Sequence, residues 1–194
     1  ADALSSGEQV ATGLSARDRR VRVATCGRDG DQGAYSSNWL DTALKRARGS
    51  LVTVVDGGDG LVAGACQSMI QCLERSGSDL VVARSRSLTP ATGSGLGARP
   101  PRTPRLAQPL ARVPEAAEEL VAGAVMARRR LWAPLRRPGA LGASTKSLPA
   151  RTLAVLLAAT RVDVLDEEVY TWRAGSPARG LSAATDPGGL LAEV

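Results

Sequence analysis

One stretch stands out in this sequence: Leu51-Val52-Thr53-Val54-Val55-Asp56-Gly57-Gly58-Asp59-Gly60. Its first five residues are apolar or β-branched, which predicts a strand that is buried on both faces. An acidic, glycine-rich turn follows, and open α/β sheets place their ligands at the carboxyl ends of strands. Asp56 and Asp59 offer hard oxygen ligands that could hold a divalent cation and the phosphates it carries. Asp and Gly are also the ordinary residues of a turn after a strand, so both interpretations stay open.

The composition restricts both the core and the partners. A chain of 194 residues is long enough for one domain with a substantial core. It has no phenylalanine and only 3% aromatic residues, so Ala, Val and Leu must fill the interior. A formal charge of +6 and a pI near 10 suit a phosphate-bearing or nucleic-acid partner. The excess of Arg, Ala, Gly and Pro is typical of a GC-rich bacterial genome, which also contributes to that charge.

Metal and nucleophile chemistry is limited by the residues present. Histidine is absent, and Cys26, Cys66 and Cys72 form no CxxC pair. Neither a zinc site nor a catalytic Cys-His or Ser-His pair is therefore expected. Free thiols suit a reducing cytoplasm, no run reaches the length of a membrane span, and the first residues show no signal-peptide pattern. The sequence predicts a cytoplasmic protein without a transmembrane segment.

Strands and helices alternate through the first part of the chain. Apolar spacing predicts helices at 1–20, 38–48 and 62–76, and short apolar runs predict strands at 21–24, 51–55 and 80–83. Gly49 and Gly77 stand where two of these helices should end. Such alternation favours an α/β layer of parallel strands in which 51–55 is the central strand.

The later part of the chain changes character. Residues 84–113 are rich in Arg and Pro and contain no acidic residue, which predicts a basic loop or linker. No aromatic residues interleave these arginines, so nucleic-acid binding is not favoured. Helices are predicted from Pro114 and Pro149, and two short strands flank the acidic cluster 166–168. We therefore expect three parts: a core at 1–83, the loop at 84–113 and a mainly helical region with two short strands at 114–194.

Five segments follow, in order, the pattern of a known family. Residues 47–56 are similar to its strand pattern A-x-G-x-x-V-x-F-L-D, and 33–38 stand where it has Gly-x-x-x-Ala-Arg-Asn. The other three segments are 16–23, 73–82 and 162–173. Together they resemble the family 2 inverting glycosyltransferases of the GT-A fold, in their actinobacterial form. The resemblance implies a partial GT-A, Rossmann-like sheet with flanking helices and a helical C-terminal region.

The resemblance also implies an activity. Family members transfer a sugar from a nucleotide-sugar donor to a hydroxyl of a glycan or polyol acceptor, here one of the cell envelope or of secondary metabolism. By the same resemblance Asp56 and Asp59 would bind a divalent metal, Mn²⁺ or Mg²⁺, which neutralises the diphosphate leaving group. Arg28, Asn38, Asp56 and Asp59 would contact the donor, and peripheral contact with a membrane is compatible with this role.

The chain departs from the family pattern at three places. The common Asp-Ser-Asp-Asp motif is Asp56-Gly57-Gly58-Asp59 here, so that Gly58 replaces a metal-binding acid. The stretch 146–149, which takes the place of the general base, contains no carboxylate, so no catalytic residue is assigned. The family's first two strands have no counterpart before Ala1, which indicates a truncated or degraded relative. Three hypotheses follow: an active glycosyltransferase, a non-catalytic relative, and a basic protein that binds anionic polymers.

Overall fold

The computed structural model describes residues 6–24, 39–88, 102–132 and 148–172. These residues fall into two compact units, one within Ala1–Ala47 and the other within Arg48–Val194. The first unit contains two helices, α1 at Ser6–Arg17 and α2 at Trp39–Arg46. Both confirm predicted helices, whereas residues 21–24, predicted as a strand, form no regular structure. The three-part division of the chain remains a prediction.

The second unit is a mixed α/β layer with a partial, curled sheet flanked by helices. Its helices are α3 at Ala65–Ser76, the single turn α4 at Arg129–Trp132 and α5 at Leu148–Ala158. Short 3-10 turns occupy Leu110–Arg112, Pro114–Glu118 and Ala122–Ala124. The strands are β1 at Leu51–Val52, β2 at Gly60–Leu61, β3 at Leu80–Ser87, β4 at Arg105–Gln108, β5 at Val125–Arg128 and β6 at Val162–Trp172.

The sheet is built around two long strands, β3 and β6, which run parallel to each other. Its order is β1-β5-β3-β6-β2, with β4 also paired to β6. All pairings in the described residues other than β3–β6 are antiparallel. The prediction of parallel strands was therefore right for the pair β3–β6 and wrong for the other pairs described.

Strand β1 corrects the prediction about the opening stretch. Residues 51–55 were predicted to form a buried central strand, but only Leu51 and Val52 pair, at the edge of the sheet against β5. Beyond Val52 the backbone leaves β5, and Thr53 donates its hydroxyl to the carbonyl of Ala122 at 3.3 Å. Val54 is buried and Val55 is exposed. The β-branched run therefore pairs with the sheet only at its first two residues, and its remaining residues connect the sheet edge to the acidic turn.

The helix predicted from Pro114 was also wrong. The structure has 3-10 turns at Pro114–Glu118 and Ala122–Ala124, followed directly by β5. Leu80 of β3 pairs with Ala127, and Val82 pairs with Val125. The apolar spacing that resembles a helix face is overridden because β3 needs an antiparallel partner on this side.

Two further predictions are corrected around β6. The two short strands predicted at 162–165 and 169–172 form one continuous strand. The basic segment 84–113 is not all loop, because β3 continues to Ser87 and β4 pairs with β6. Arg84 bonds to Asp166 and Arg86 to Glu168, at 3.0 Å and 2.9 Å. These pairs of opposite charge stabilise the pairing of the acidic cluster 166–168 with the start of the basic segment, so both belong to the sheet.

Helix α3 packs against the sheet as predicted, and glycines stand at both ends. Gly64 and Gly77 have φ of 82° and 67°, in the left-handed region. The Gly77 N–H bonds to the carbonyl of Leu73 at 3.0 Å. The buried face consists of Ala65, Met69, Cys72 and Leu73, which pack against apolar side chains of β3, β5 and β6. Cys66 is exposed, whereas Cys72 is buried on this face. None of the helices in the described ranges is long and apolar enough to span a membrane.

The buried carboxylate of Asp163 joins α3, β4 and β6. It accepts the hydroxyls of Ser76 and Ser78 at 2.6 Å and 2.8 Å and the N–H of Ala107 at 2.7 Å. The thiol of Cys72 donates to the same carboxylate at 3.3 Å. Burial, together with the negative charge and hydrogen bond of Asp163, raises the pKa of Cys72 to about 12. Four donors thus compensate a charge that has lost its hydration.

The raised pKa predicts a large contrast between two thiols. In a Cys26→Ser variant at pH 8, we expect the exposed Cys66 to react rapidly with an aromatic disulfide reagent. Cys72 should react only after a denaturant is added, because about one in ten thousand of its thiols is ionised at that pH. Thiol release measured with and without urea checks this. Rapid release of two equivalents from the folded protein would contradict it, and a Cys26→Ser, Cys66→Ser variant is the control.

Asp79 performs a similar function at the start of β3. Its carboxylate accepts the N–H groups of Thr160 and Arg161 at 2.9 Å and 3.2 Å, and it forms an ion pair with Arg130. Burial alone raises the pKa of Asp79, but these donors outweigh it, so that the pKa lies below its ordinary value. The carboxylate therefore ties the end of α5 and the start of β6 to the start of β3.

A lowered pKa makes the stability depend on pH in one direction. The ionised Asp79 stabilises the fold above the pKa that it has in the unfolded chain, about 3.9, and this contribution is lost as the pH falls through the lower folded pKa. We expect Asp79→Asn to lower the free energy of unfolding at pH 7 by about 1–3 kcal/mol. The difference from the wild type should shrink below about pH 4. Urea denaturation at both pH values checks this, with the exposed Glu74→Gln as control, and a constant difference would refute it.

Candidate functional site

The acidic turn between β1 and β2 has a defined internal geometry. The N–H of Asp59 donates to the carbonyl of Asp56 at 3.1 Å, which closes the turn. The N–H of Gly58 donates to Oδ1 of Asp56 at 3.0 Å, which is the side-chain interaction that favours Asp at the first position of a turn. The sequence predicted this turn, and one oxygen of Asp56 takes part in forming it.

Tyr170 of β6 forms hydrogen bonds with both ends of this turn. Its phenolic hydroxyl donates to Oδ2 of Asp59 at 2.6 Å and accepts the backbone N–H of Asp56 at 3.3 Å. The ring is 1% exposed and belongs to the main apolar core. Both ends of the turn are thus bonded to one oxygen atom whose position is set by the packing of the core.

Gly123 makes the position of the Tyr170 ring possible. A Cβ atom at residue 123 would lie 2.1 Å from Cε2 of Tyr170, far inside van der Waals contact. The residue belongs to the buried 3-10 turn that precedes β5. A side chain at position 123 would therefore displace the ring, and with it the hydroxyl that carries the acidic turn.

A buried carboxylate, Glu119, directly follows the 3-10 turn Pro114–Glu118 and bonds to strand β3. It accepts the hydroxyl of Ser85 at 2.8 Å and the N–H of Ser85 at 3.3 Å. Ser85 stands opposite Tyr170 in the pairing of β3 with β6. Glu119 lies in the segment that was predicted to form a helix from Pro114, and nothing in its spacing indicates a buried role.

The predicted site residues are only partly brought together. Asp56 and Asp59 lie on the same turn and share Tyr170 as a partner. Arg28 and Asn38 lie outside the described residues. Tyr170 and Gly123 were not predicted as site residues, because a tyrosine in an apolar strand and a glycine near small residues look like ordinary core positions.

The carboxylates of Asp56 and Asp59 are the kind of oxygen ligand that Mg²⁺ and Mn²⁺ prefer, although the turn offers only these two. Within the described ranges no cluster of three or more Asp, Glu, Cys or His residues is present. One oxygen of Asp56 accepts the Gly58 N–H, and one of Asp59 accepts the Tyr170 hydroxyl. Carboxylates that are themselves hydrogen-bonded in this way are the usual ligands of metal sites, and Mg²⁺ is commonly held by one or two of them together with substrate phosphates.

The fold was compared with known proteins. No family model and no curated protein matches the sequence. Among solved structures, S. aureus TarS 1-349 in complex with UDP-GlcNAc matches with a TM-score of 0.62 over 97% of this chain, at 18% identity. The fold is glycosyltransferase-like. A second structure of S. aureus TarS 1-349 matches with a TM-score of 0.50 over 68% of this chain, at 21% identity. The chain spans 52% and 38% of the length of these two TarS chains.

The role of Tyr170 predicts the effect of removing one oxygen atom. Tyr170→Phe keeps the packed ring but leaves Asp56 and Asp59 without this partner. We expect the free energy of unfolding to fall by about 1–3 kcal/mol, the range for losing a buried hydrogen-bond partner. Thr171→Val is the matched control, because the Thr171 hydroxyl bonds to the carbonyl of Gly60 at a long 3.4 Å.

Urea denaturation of both variants checks the prediction. Equal stability of Tyr170→Phe and wild type would show that the hydroxyl does not hold the turn. Gly123→Ala should lower stability further, since the ring itself is displaced.

Proposed function

We propose that this chain transfers a sugar from a nucleotide-sugar donor to a hydroxyl of a glycan or polyol acceptor, with inversion, as in the GT-A enzymes of family 2. One observation carries the proposal: an acidic turn, rigidly bonded to the core, stands after β1 of a glycosyltransferase-like fold. The related fold of S. aureus TarS is known in complex with UDP and with UDP-GlcNAc, which makes these nucleotides the first ligands to test.

In this proposal the acidic turn holds the diphosphate of the donor through a divalent cation. Asp56 and Asp59 would be its protein ligands, and the cation would supply charge neutralisation of the leaving diphosphate. Tyr170 would keep Asp59 in place by donating its hydroxyl to one oxygen, so that the turn need not reorganise when the ligand binds. Arg28 and Asn38 are further proposed donor contacts, and a cytoplasmic protein of the cell-envelope pathway is the proposed setting.

A non-catalytic relative that binds the same donor is the second candidate. It is favoured by Gly58, which stands where the family pattern has an acid, and by the small number of carboxylates on the turn. Binding without turnover would require the same contacts with the diphosphate but no base for the acceptor hydroxyl. The two candidates therefore agree on the ligand and differ in whether the nucleotide is released.

Charge-removing variants test the proposal without disturbing the turn. In Asp56→Asn and Asp59→Asn the amide oxygen can still accept the Gly58 N–H or the Tyr170 hydroxyl, while the negative charge is lost. We expect the Mn²⁺-dependent affinity for UDP-GlcNAc to fall at least about tenfold in each, since even outer-shell partners of metals account for that much. Asp18→Asn, which removes a carboxylate from the other compact unit, should bind as the wild type does.

Titration calorimetry with and without Mn²⁺ measures the affinities. Release of UDP, with and without acceptor, then separates an active transferase from a binding protein. Equal affinity of wild type and both turn variants would overturn the site assignment, and absence of nucleotide binding by the wild type would overturn the proposed function.

A further inference from the structure

A second polar cluster surrounds Asp166 of β6, apart from the acidic turn. Oδ1 of Asp166 accepts the backbone N–H of Arg102 at 2.7 Å and Nη1 of Arg84 at 3.0 Å. The N–H of Arg102 and the Arg84 guanidinium hold the pKa of Asp166 below its ordinary value. A single carboxylate thus anchors one arginine by its backbone and the other by its side chain.

Two amino groups of the Arg102 guanidinium, Nη1 and Nη2, are buried without a hydrogen-bond partner among the described residues. Each of these amino groups is a donor, and a buried donor of a charged group that lacks a partner is strongly unfavourable. Such groups in folded proteins commonly indicate a bound ion or water.

The local charge has the sign that an anion requires. Two guanidinium groups, Arg84 and Arg102, face the one carboxylate of Asp166, which gives a net charge of +1. The adjacent pair Arg86–Glu168 balances itself at 2.9 Å. Among the other charged residues nearby, Arg105 lies 3.9 Å from Glu115, and Glu167 is exposed.

A bulge in β6 produces this arrangement. From Val82 to Arg84 β3 advances two residues, while its partner β6 advances four, from Val164 to Glu168. Asp166 lies in the extra segment. β-Bulges change the direction in which a side chain points, and they are over-represented next to active sites. The bulge here brings Asp166 to Arg84 and to the chain that leads into β4.

We propose that Arg102, supported by Arg84, binds the phosphate group of a ligand. A guanidinium presents a planar set of donors that matches two oxygens of a phosphate, which would satisfy Nη1 and Nη2 of Arg102 together. Asp166 positions the pair but supplies only one negative charge. The site is distinct from the acidic turn because the two share no residue: Arg84 and Arg102 are bonded to Asp166. The turn is bonded to Tyr170, four residues later on β6. It goes beyond the proposed sugar transfer and does not require it.

Phosphate binding by purified protein tests the proposal. The probe is inorganic phosphate, titrated against sodium chloride at equal ionic strength, with the change in melting temperature and calorimetric affinity as readouts. We expect phosphate to stabilise the wild type, and Arg102→Gln to reduce its affinity at least about tenfold, which corresponds to loss of a charged, two-point contact. Arg102→Lys keeps the charge but not the planar donors and should lie between them.

Control variants give the result its specificity. Arg86→Gln removes an arginine from the same strand, and Arg20→Gln removes one from the other compact unit, so both should bind phosphate like the wild type. Asp59→Asn should also retain phosphate binding, which separates this site from the acidic turn. If that variant loses phosphate binding, the proposal of a separate site is overturned. UDP in place of phosphate, without a divalent metal, distinguishes a nucleotide phosphate from a free one: affinity lost in Arg102→Gln assigns the nucleotide to this site.

Two outcomes overturn the proposal. One is an equal response of the wild type to phosphate and to chloride, which would mean that water satisfies Arg102. The other is an unchanged phosphate affinity in Arg102→Gln. If Arg102→Gln fails to fold, Arg102→Lys supplies the comparison, and an affinity equal to that of the wild type then refutes bidentate binding.

Discussion

Strand β6 imposes the main constraint on the second unit, because it pairs with three other strands, β2, β3 and β4. Residues 162–164 and 169–170 of this strand are buried, and β6 carries the polar residues Asp163, Asp166 and Tyr170. Asp163 and Tyr170 must find partners from other elements, since an unpaired buried polar group costs about 1–3 kcal/mol, and the half-buried Asp166 also finds them. Asp163 binds α3 and β4, Asp166 binds β3 and the chain before β4, and Tyr170 binds the acidic turn. The polar residues of one strand therefore determine where the surrounding loops lie.

This mode of assembly suits the composition. The core contains no phenylalanine and consists largely of Ala, Val, Leu and Met, so that few large side chains fix one element against another. Buried hydrogen bonds are directional, whereas contacts between small apolar side chains are not, so the carboxylates can specify positions that packing leaves open.

Asp79 shows the same principle at the start of β3, where its carboxylate accepts N–H groups of Thr160 and Arg161. Neighbouring arginines cap carbonyls of the same turn: Arg161 binds Gly77 and Arg128 binds Ser78. A structural role thus accounts for these two arginines.

What the sequence could predict follows from the range of the interactions. Helix α3 and its final glycine are local features, set by apolar spacing and by a conformation that glycine adopts readily, and both were confirmed. The acidic turn is equally local, since Asp56 bonds to residues two and three positions away. The edge position of β1, the strand at Val125–Arg128 and the continuity of β6 depend on partners far away in the chain, and their predictions were wrong. The bulge at Asp166 interrupts the alternation of side chains between the two faces of the strand, which explains why two strands were predicted where β6 is one.

The same distinction explains how the candidate site was seen and what was missed. The residues that could contact a ligand, Asp56 and Asp59, are adjacent to a recognisable strand-like run. The residues that position them, Tyr170 and Gly123, lie in other elements and have no chemistry of their own to attract attention. Gly58 therefore has two meanings. It removes an acid from the family pattern, but its N–H also bonds to Asp56, and that bond, with the Tyr170 hydroxyl, orders the two acids that remain. A site with fewer ligands depends more on the order of each ligand, because a misplaced carboxylate cannot be compensated by a third.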